Sequence, residues 1–291
     1  MAADAALRLG SARSELGLQV DNPELEARWL VEQASGYEGS EYLLALDEPA
    51  TKRMVASFDS MLERRLKGEP LQYVLGRWSF RHLDVMVDRR VLIPRPETEL
   101  VVEVALEQLR RLGGDERATT VVDLGTGSGV IALSIAMEVV QSQVWAVDRS
   151  AQALEIARAN LVGLGRPAMR VRMLESDWFD ALPDELCNKV DLIVANPPYV
   201  AEHEIQDLPK VVADWEPIGA LVSGPTGLED LNHIVTTAPT WLTRPGALVL
   251  ECAPHQVDAV ASDARNVGFD NVTVFDDLTG RHRGIIAILS G

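Results

Sequence analysis

Two periodicities divide the chain. Over residues 1–72 apolar positions recur at helical spacing. From Pro49 to Lys67, for example, Met54, Val55, Phe58, Met61 and Leu62 share one face. Proline is tolerated at the first helical position, so Pro23 and Pro49 mark helix starts and Gly68 a stop. A small helical domain is expected there, its apolar face serving either as a core or as a docking surface. From Tyr73 to Leu92 the period shortens. Trp78, Phe80, Leu83, Val85, Val87, Val91 and Leu92 predict two short strands, a β-hairpin linker over 73–92. The prolines of Ile93-Pro-Arg-Pro-Glu-Thr98 then force an extended path, and Thr98 is placed to cap a helix running to about Leu112.

Beyond Thr119 strands and helices alternate. Strands are predicted at 119–124, 143–148, 169–174, 190–195, 246–252, 271–276 and 284–289, with helices near 129–140, 150–163, 228–243 and 255–267. This order predicts an α/β domain over 93–291, an open and mostly parallel seven-stranded sheet covered on both faces. No helix separates the last two strands, so they are expected to form an antiparallel edge pair.

The chemistry gathers at strand ends. Asp191-Leu-Ile-Val-Ala-Asn-Pro-Pro-Tyr199 reads as a buried strand entering a rigid turn, because neither Pro197 nor Pro198 donates to a ladder and each fixes its φ. Such a turn suits a planar NH2 group: the Asn196 oxygen and the Pro197 carbonyl accept its two N–H bonds while Tyr199 packs on its face. Upstream, Asp123-Leu-Gly125-Thr126-Gly127-Ser128-Gly129 joins a strand to a helix, and its glycines let a ligand approach the backbone. The dinucleotide fingerprint requires Gly or Ala where Val130 stands, which argues against a nicotinamide dehydrogenase. Glycines at alternate positions instead resemble the S-adenosylmethionine (SAM) turn of class I methyltransferases. Asp148 ends the next strand, where a carboxylate accepts ribose hydroxyls or caps the helix that follows. Asp177 or Trp178 is placed to meet an adenine by hydrogen bond or stacking.

Composition narrows the setting. The chain has 291 residues, 47% hydrophobic and 24% charged, as in ordinary globular proteins. No run reaches the ~18 apolar residues of a membrane span. Met1-Ala-Ala-Asp-Ala-Ala-Leu-Arg lacks the charge pattern of a secretory signal. Two cysteines, Cys187 and Cys252, make neither a disulfide framework nor a metal-ligand spacing, so a cytoplasmic protein without a metal is expected. A net charge of −17 opposes broad binding to nucleic acid. The local cluster of Arg77, Arg81, Arg89, Arg90 and Arg95 reads either as a basic patch or as a solvated hairpin.

Taken with Leu92-Ile-Pro-Arg-Pro-Glu-Thr98, Ser176-Asp-Trp-Phe179 and Glu216-Pro217 followed by Ala220-Leu221, these motifs resemble the HemK/PrmC-type protein-glutamine methyltransferases across almost the whole chain. Those enzymes methylate the side-chain amide nitrogen of the Gly-Gly-Gln glutamine in class I peptide-chain release factors. The resemblance implies a SAM-dependent monomer releasing S-adenosylhomocysteine, with the helical domain docking the release factor and with no DNA or membrane partner. It assigns cofactor binding to Asp123, Gly125, Thr126, Gly127, Ser128, Gly129, Asp148, Asp177, Trp178 and Asn196. Substrate binding falls to Asn196, Pro197, Pro198 and Tyr199, of which Asn196, Pro197 and Tyr199 are catalytic. The rival reading is a nucleic-acid methyltransferase acting on an exocyclic base amine. Three features depart from the family pattern: Arg81-His82 replaces an apolar or aromatic residue and glycine, Thr226 stands for aspartate, and Thr279-Gly-Arg-His-Arg-Gly284 only approximates the Gly-Arg-x-Arg ending.

Overall fold

The computed structural model describes residues 1–16, 20 and 22–291 and divides into two compact units, Met1–Arg77 with Pro209–Trp215, and Trp78–Leu208 with Glu216–Gly291. Helices build the first: α1 (Ala2–Leu16), α2 (Pro23–Ser35), α3 (Gly39–Leu44), α4 (Lys52–Leu66) and α5 (Leu71–Leu75). Pro23 opens α2 as expected, behind Asn22, whose side chain accepts from the Leu25 N–H at 3.0 Å. Pro49 does not open α4. The Thr51 hydroxyl accepts from the Met54 N–H, satisfying one of the first-turn donors, and the helix starts at Lys52.

Along α4, Phe58, Met61, Leu62 and Arg65 are buried at helical spacing, while Val55 stays exposed. Arg65 is tolerated inside because its guanidinium donates to Glu26 at 2.8 Å. The unit extends past residue 72 because Leu71 and Val74 of α5 join the core of Leu9, Leu30, Phe58 and Leu62.

The second unit begins in the hairpin of β1 (Arg77–Phe80) and β2 (Leu83–Met86). Arg81 turns it in a left-handed conformation, φ +49°, which a side chain rarely adopts. Its contacts hold it there: the backbone N–H donates to Glu99, and the guanidinium to both oxygens of Glu138 at 2.8 Å and to Glu103 at 3.0 Å. Arg81 thus stands where the family pattern has an apolar or aromatic residue, and its ion pairs with Glu138 and Glu103 hold the hairpin turn.

Next come α6 (Pro96–Arg111), β3 (Thr119–Leu124), α7 (Val130–Glu138), β4 (Ser142–Asp148), α8 (Ala151–Gly163), β5 (Val171–Glu175) and β6 (Val190–Ala195). The rest of the chain supplies the short α9 (Lys210–Ala213) to the first unit, then α10 (Glu229–Trp241), β7 (Leu242–Glu251), α11 (Val257–Asn266), β8 (Asn271–Asp276) and β9 (His282–Leu289). The strands form one sheet in the order β5-β4-β3-β6-β7-β9-β8, parallel from β5 to β7 and antiparallel at β9 and β8. The inner strands read as unbroken apolar runs because both faces are covered; all six residues of β6 are buried.

Thr98 does not cap α6. Pro96 takes the first helical position behind Arg95, and Thr98, 3% exposed, points its hydroxyl into the unit. The order of strands reverses at β3, which has β4 on one side and β6 on the other, so a crevice opens past the ends of β3 and β6. Leu124 and Ala195 are register partners there. Their next residues, Gly125 and Asn196, enter the crevice side by side.

Candidate active site

Glycines 125, 127 and 129 all have positive φ, at +71°, +56° and +89°. The need is clearest at Gly125, where a Cβ would also lie 3.4 Å from the Trp178 ring. Asp123 does not reach the ligand space. It is fully buried beneath the turn, where one oxygen accepts from the Thr126 hydroxyl at 2.6 Å and the Ala132 N–H at 3.1 Å. Burial pushes its carboxyl up to about 7 against those two hydrogen bonds. Asp123 therefore sets the shape of the turn, and Gly129 likewise lies behind the cavity wall, closing the turn on the start of α7.

Asp148 does face the cavity. Each carboxylate oxygen already accepts one backbone N–H, from Gly127 at 2.9 Å and Ser150 at 2.8 Å, which leaves lone pairs on both for a ligand. The helix cap itself is Ser150, which accepts from the Ala153 N–H. Trp178 is held at φ +45° and donates its indole N–H to Asp230 at 3.0 Å, while Asp177 lines the same wall.

The turn after β6 leaves two acceptors unclaimed. The Asn196 amide nitrogen donates to the Thr98 hydroxyl at 3.1 Å, and no hydrogen bond from the described residues reaches the Asn196 side-chain oxygen or the Pro197 carbonyl. The Tyr199 N–H donates to Leu221, and the Tyr199 carbonyl accepts from the Gln256 side chain at 2.8 Å. Burial, then the neighbouring Glu251 charge, push the Tyr199 hydroxyl up to about 12, so the ring stays neutral and serves no base function.

Two cavities meet at this turn. The larger, 480 Å³, runs over Gly125–Ser128, Asp148 and Trp178 to Asn196 and Pro198. The smaller, 160 Å³, is lined by Pro197, Tyr199 and Val200 among others. Leu92, Arg95, Asn196 and Ala220 line both and form the wall between them. The larger fits SAM by size and by its polar groups: a carboxylate at one strand end, the glycine turn beside it and the Trp178 indole against that turn. Glu216, almost wholly buried, ties the roof together by accepting from the Ile93 N–H at 3.1 Å and from Arg95.

Four of the five arginines of the hairpin region are committed to carboxylates. Arg81 is engaged by Glu138 and Glu103, Arg90 by Asp88 and Glu155, Arg95 by Glu216 and Arg77 by Glu38. His203, Glu202 and His233 lie exposed, away from the site, and Glu204 caps a short 3-10 turn by accepting from the Ala201 N–H. Sequence reading missed Thr98 as a cavity residue, and Glu251, Gln256 and Arg283 behind the turn. One cue was available in the lone acid that ends the apolar run of β7.

Comparison with known proteins follows this geometry. The family model for a PrmC N-terminal domain matches residues 7–76 and that for a methyltransferase small domain residues 101–212. A release factor glutamine methyltransferase from Rhodopirellula baltica is 36% identical over 265 residues, 90% of this chain and 88% of its own. One from Bordetella pertussis is 40% identical over 262 residues, covering 90% and 93%, and one from Xylella fastidiosa 42% over 237 residues, covering 81% and 82%. Among solved structures, the hMettl16 catalytic domain in complex with the MAT2A 3'UTR hairpin 6 superposes with a TM-score of 0.55 at 14% identity, covering 81% of each chain. That likeness carries the class I methyltransferase fold alone. With identities of 36–42% sustained over most of both chains, this protein belongs to the release factor glutamine methyltransferase family.

Proposed function

We propose that the chain transfers a methyl group from SAM to the side-chain amide nitrogen of the Gly-Gly-Gln glutamine of peptide-chain release factors. The observation that carries this reading is the pair of unclaimed acceptors, the Asn196 oxygen on the wall between the two cavities and the Pro197 carbonyl next to it in the turn that lines the smaller one. An amide nitrogen is a poor nucleophile because its lone pair is delocalised into the carbonyl. SAM bound in the larger cavity supplies a methyl group activated by its sulfonium, so no covalent enzyme intermediate is required. Asn196 and Pro197 then hold the NH2 group flat by accepting its two protons, and Tyr199 packs on the amide face. As the nitrogen gains positive charge its protons become more acidic, and the two fixed oxygens bind them more strongly than in the ground state. The displaced proton leaves to water afterwards, and no strong base need contact it. Methylation of purified release factor, followed by mass spectrometry of its Gly-Gly-Gln peptide, tests the reading directly. A mass gain of one methylene on that glutamine supports it, and an unmodified peptide with SAM bound refutes it.

Asp148 is assigned to the SAM ribose through the lone pairs its backbone contacts leave open. Asp148→Ala is expected to weaken SAM binding by about tenfold or more, since hydrogen bonds to a charged group carry roughly 1.5–3 kcal/mol. Titration calorimetry reads this, and an unchanged affinity would remove Asp148 from the ribose site.

Docking of the release factor is assigned to the helical unit. Its support is the run of Leu43, Leu44 and Leu46, which are 59%, 83% and 59% exposed on and after α3. Leu44→Glu should raise KM for the intact release factor about tenfold and leave kcat within about twofold, as expected for an interface anchor that takes no part in the chemistry. Steady-state kinetics with release factor as the varied substrate check it; a parent-like KM would place docking elsewhere.

A further inference from the structure

The buried side of the Asn-Pro-Pro-Tyr turn holds a chain of side chains that the reaction as described does not use. The Asn196 amide nitrogen donates to the Thr98 hydroxyl oxygen at 3.1 Å. Thr98 donates to Glu251 Oε2 at 3.0 Å, and Arg283 donates to Glu251 Oε1 at 2.7 Å. The same guanidinium donates to the Tyr199 hydroxyl at 3.3 Å, with its carbon 6.0 Å from the centre of the Tyr199 ring. Glu251 is fully buried and Thr98 nearly so.

The direction of this chain follows from the protons each group owns. Arginine only donates. Burial pushes the Glu251 carboxyl above its ordinary value and the adjacent guanidinium pulls it back; with that fixed charge 2.7 Å away, the carboxylate acts as an acceptor at both oxygens. Thr98 has a single hydroxyl proton, which goes to Glu251, so toward Asn196 its oxygen can only accept. The group of Asn196 that faces Thr98 must then be the NH2, and the oxygen is left facing the cavity. With any link reversed, the amide presents NH2 to an incoming NH2, and the site repels its substrate.

We propose that Thr98, Glu251 and Arg283 are positioning residues for methyl transfer: a one-way hydrogen-bond relay that sets which end of the Asn196 amide meets the substrate while steadying the Tyr199 ring. The relay draws on three distant parts of the chain, the start of α6, the end of β7 and the start of β9. It rests on the glutamine-methyltransferase reading for its consequence, though not for its geometry.

Thr98→Val tests it, since valine keeps the volume and shape and removes the acceptor. In steady-state methylation of release factor by the full chain, kcat should fall about 30-fold, with KM for both substrates within about twofold, because the lost interaction belongs to the transition state. Thr98→Ser, which retains the hydroxyl, should come within about threefold of the parent, and Thr98→Val added to Asn196→Ala should cost less than about twofold more, as for residues acting through one another. A parent-like kcat for Thr98→Val, or the same loss with and without Asn196, would overturn the relay. Should Thr98→Val not fold, Glu251→Gln replaces it: its amide can donate to Thr98 and reverse the chain, and an undiminished kcat there would refute the proposal equally. A second measurement needs no turnover. By NMR, the Asn196 side-chain NH2 should be protected from exchange in the parent and in Thr98→Ser and unprotected in Thr98→Val; equal protection in all three would sink the relay. A parent that shows this protection yet methylates no release factor would fault the reading of function and leave the relay standing.

Discussion

Asn196→Ala should lower kcat for release-factor methylation by about 10²–10³, on the order of 3–4 kcal/mol, the range found when one fixed hydrogen-bonding group is removed from a transition state. The Asn196 oxygen meets a neutral NH2 in the ground state and a nitrogen gaining positive charge in the transition state, so its loss is felt mainly in kcat. SAM affinity should change less, because Asn196 contributes only one edge of the 480 Å³ cavity, which the glycine turn, Asp148 and Trp178 also line. Single-turnover rates with calorimetric SAM binding on the same samples separate the two effects. A mutant with parent-like turnover would remove Asn196 from the chemistry. One that loses SAM binding in step with kcat would make it a cofactor residue first.

The second large effect is expected at Gly284, which follows the relay arginine. A Cβ there would stand 2.2 Å from the Leu250 carbonyl oxygen and 2.5 Å from the Phe275 ring. Neither can yield cheaply: Gly284 lies between β7 and β8, paired with Glu251 on one side and Phe275 on the other. Gly284→Ala should therefore force β9 out of register or away from β7, at a cost of about 3 kcal/mol or more, the upper range of overpacking in a closed interior. Urea unfolding should show a lower midpoint with little change in slope. The same displacement carries Arg283 off Glu251, so activity should fall further than the remaining folded fraction accounts for. A parent-like midpoint would mean that the β7–β9 contact relaxes at no cost.

The electrostatics of the interior fit a site that runs on alignment. Among the buried ionisable groups near the turn, Tyr199 is neutral, Glu251 is committed to Arg283 and Thr98, and burial pushes the Cys252 thiol up to about 12, which leaves it inert. None is free to take a proton from the substrate. On the proposed reading, transfer relies on holding the amide nitrogen in line with the methyl group.

Much of this was legible along the chain because it is local. The unbroken apolar runs of β3 and β6 follow from burial on both faces, and the glycines at alternate positions mark a strand-to-helix turn whatever lies around it. Pro197 and Pro198 stiffen their turn by covalent geometry alone. The ends of the strands, the antiparallel pair and the Asn-Pro-Pro-Tyr corner could thus be read from residue types and spacing. What spacing could not decide was which side chains face one another across the sheet. Thr98 looked like a helix cap because capping is the local use of threonine, yet Pro96 already opens that helix and the hydroxyl serves Asn196, 98 positions away. Asp123 looked like a ligand contact because it precedes the glycines, but the pleat turns it under the sheet's edge to hold Thr126 and Ala132. Glu251 and Arg283 gave no local sign of belonging together, since their partnership exists only where β9 inserts between β7 and β8. Local chemistry wrote the Asn-Pro-Pro-Tyr corner; only the closing of the sheet decided which side chains stand behind it.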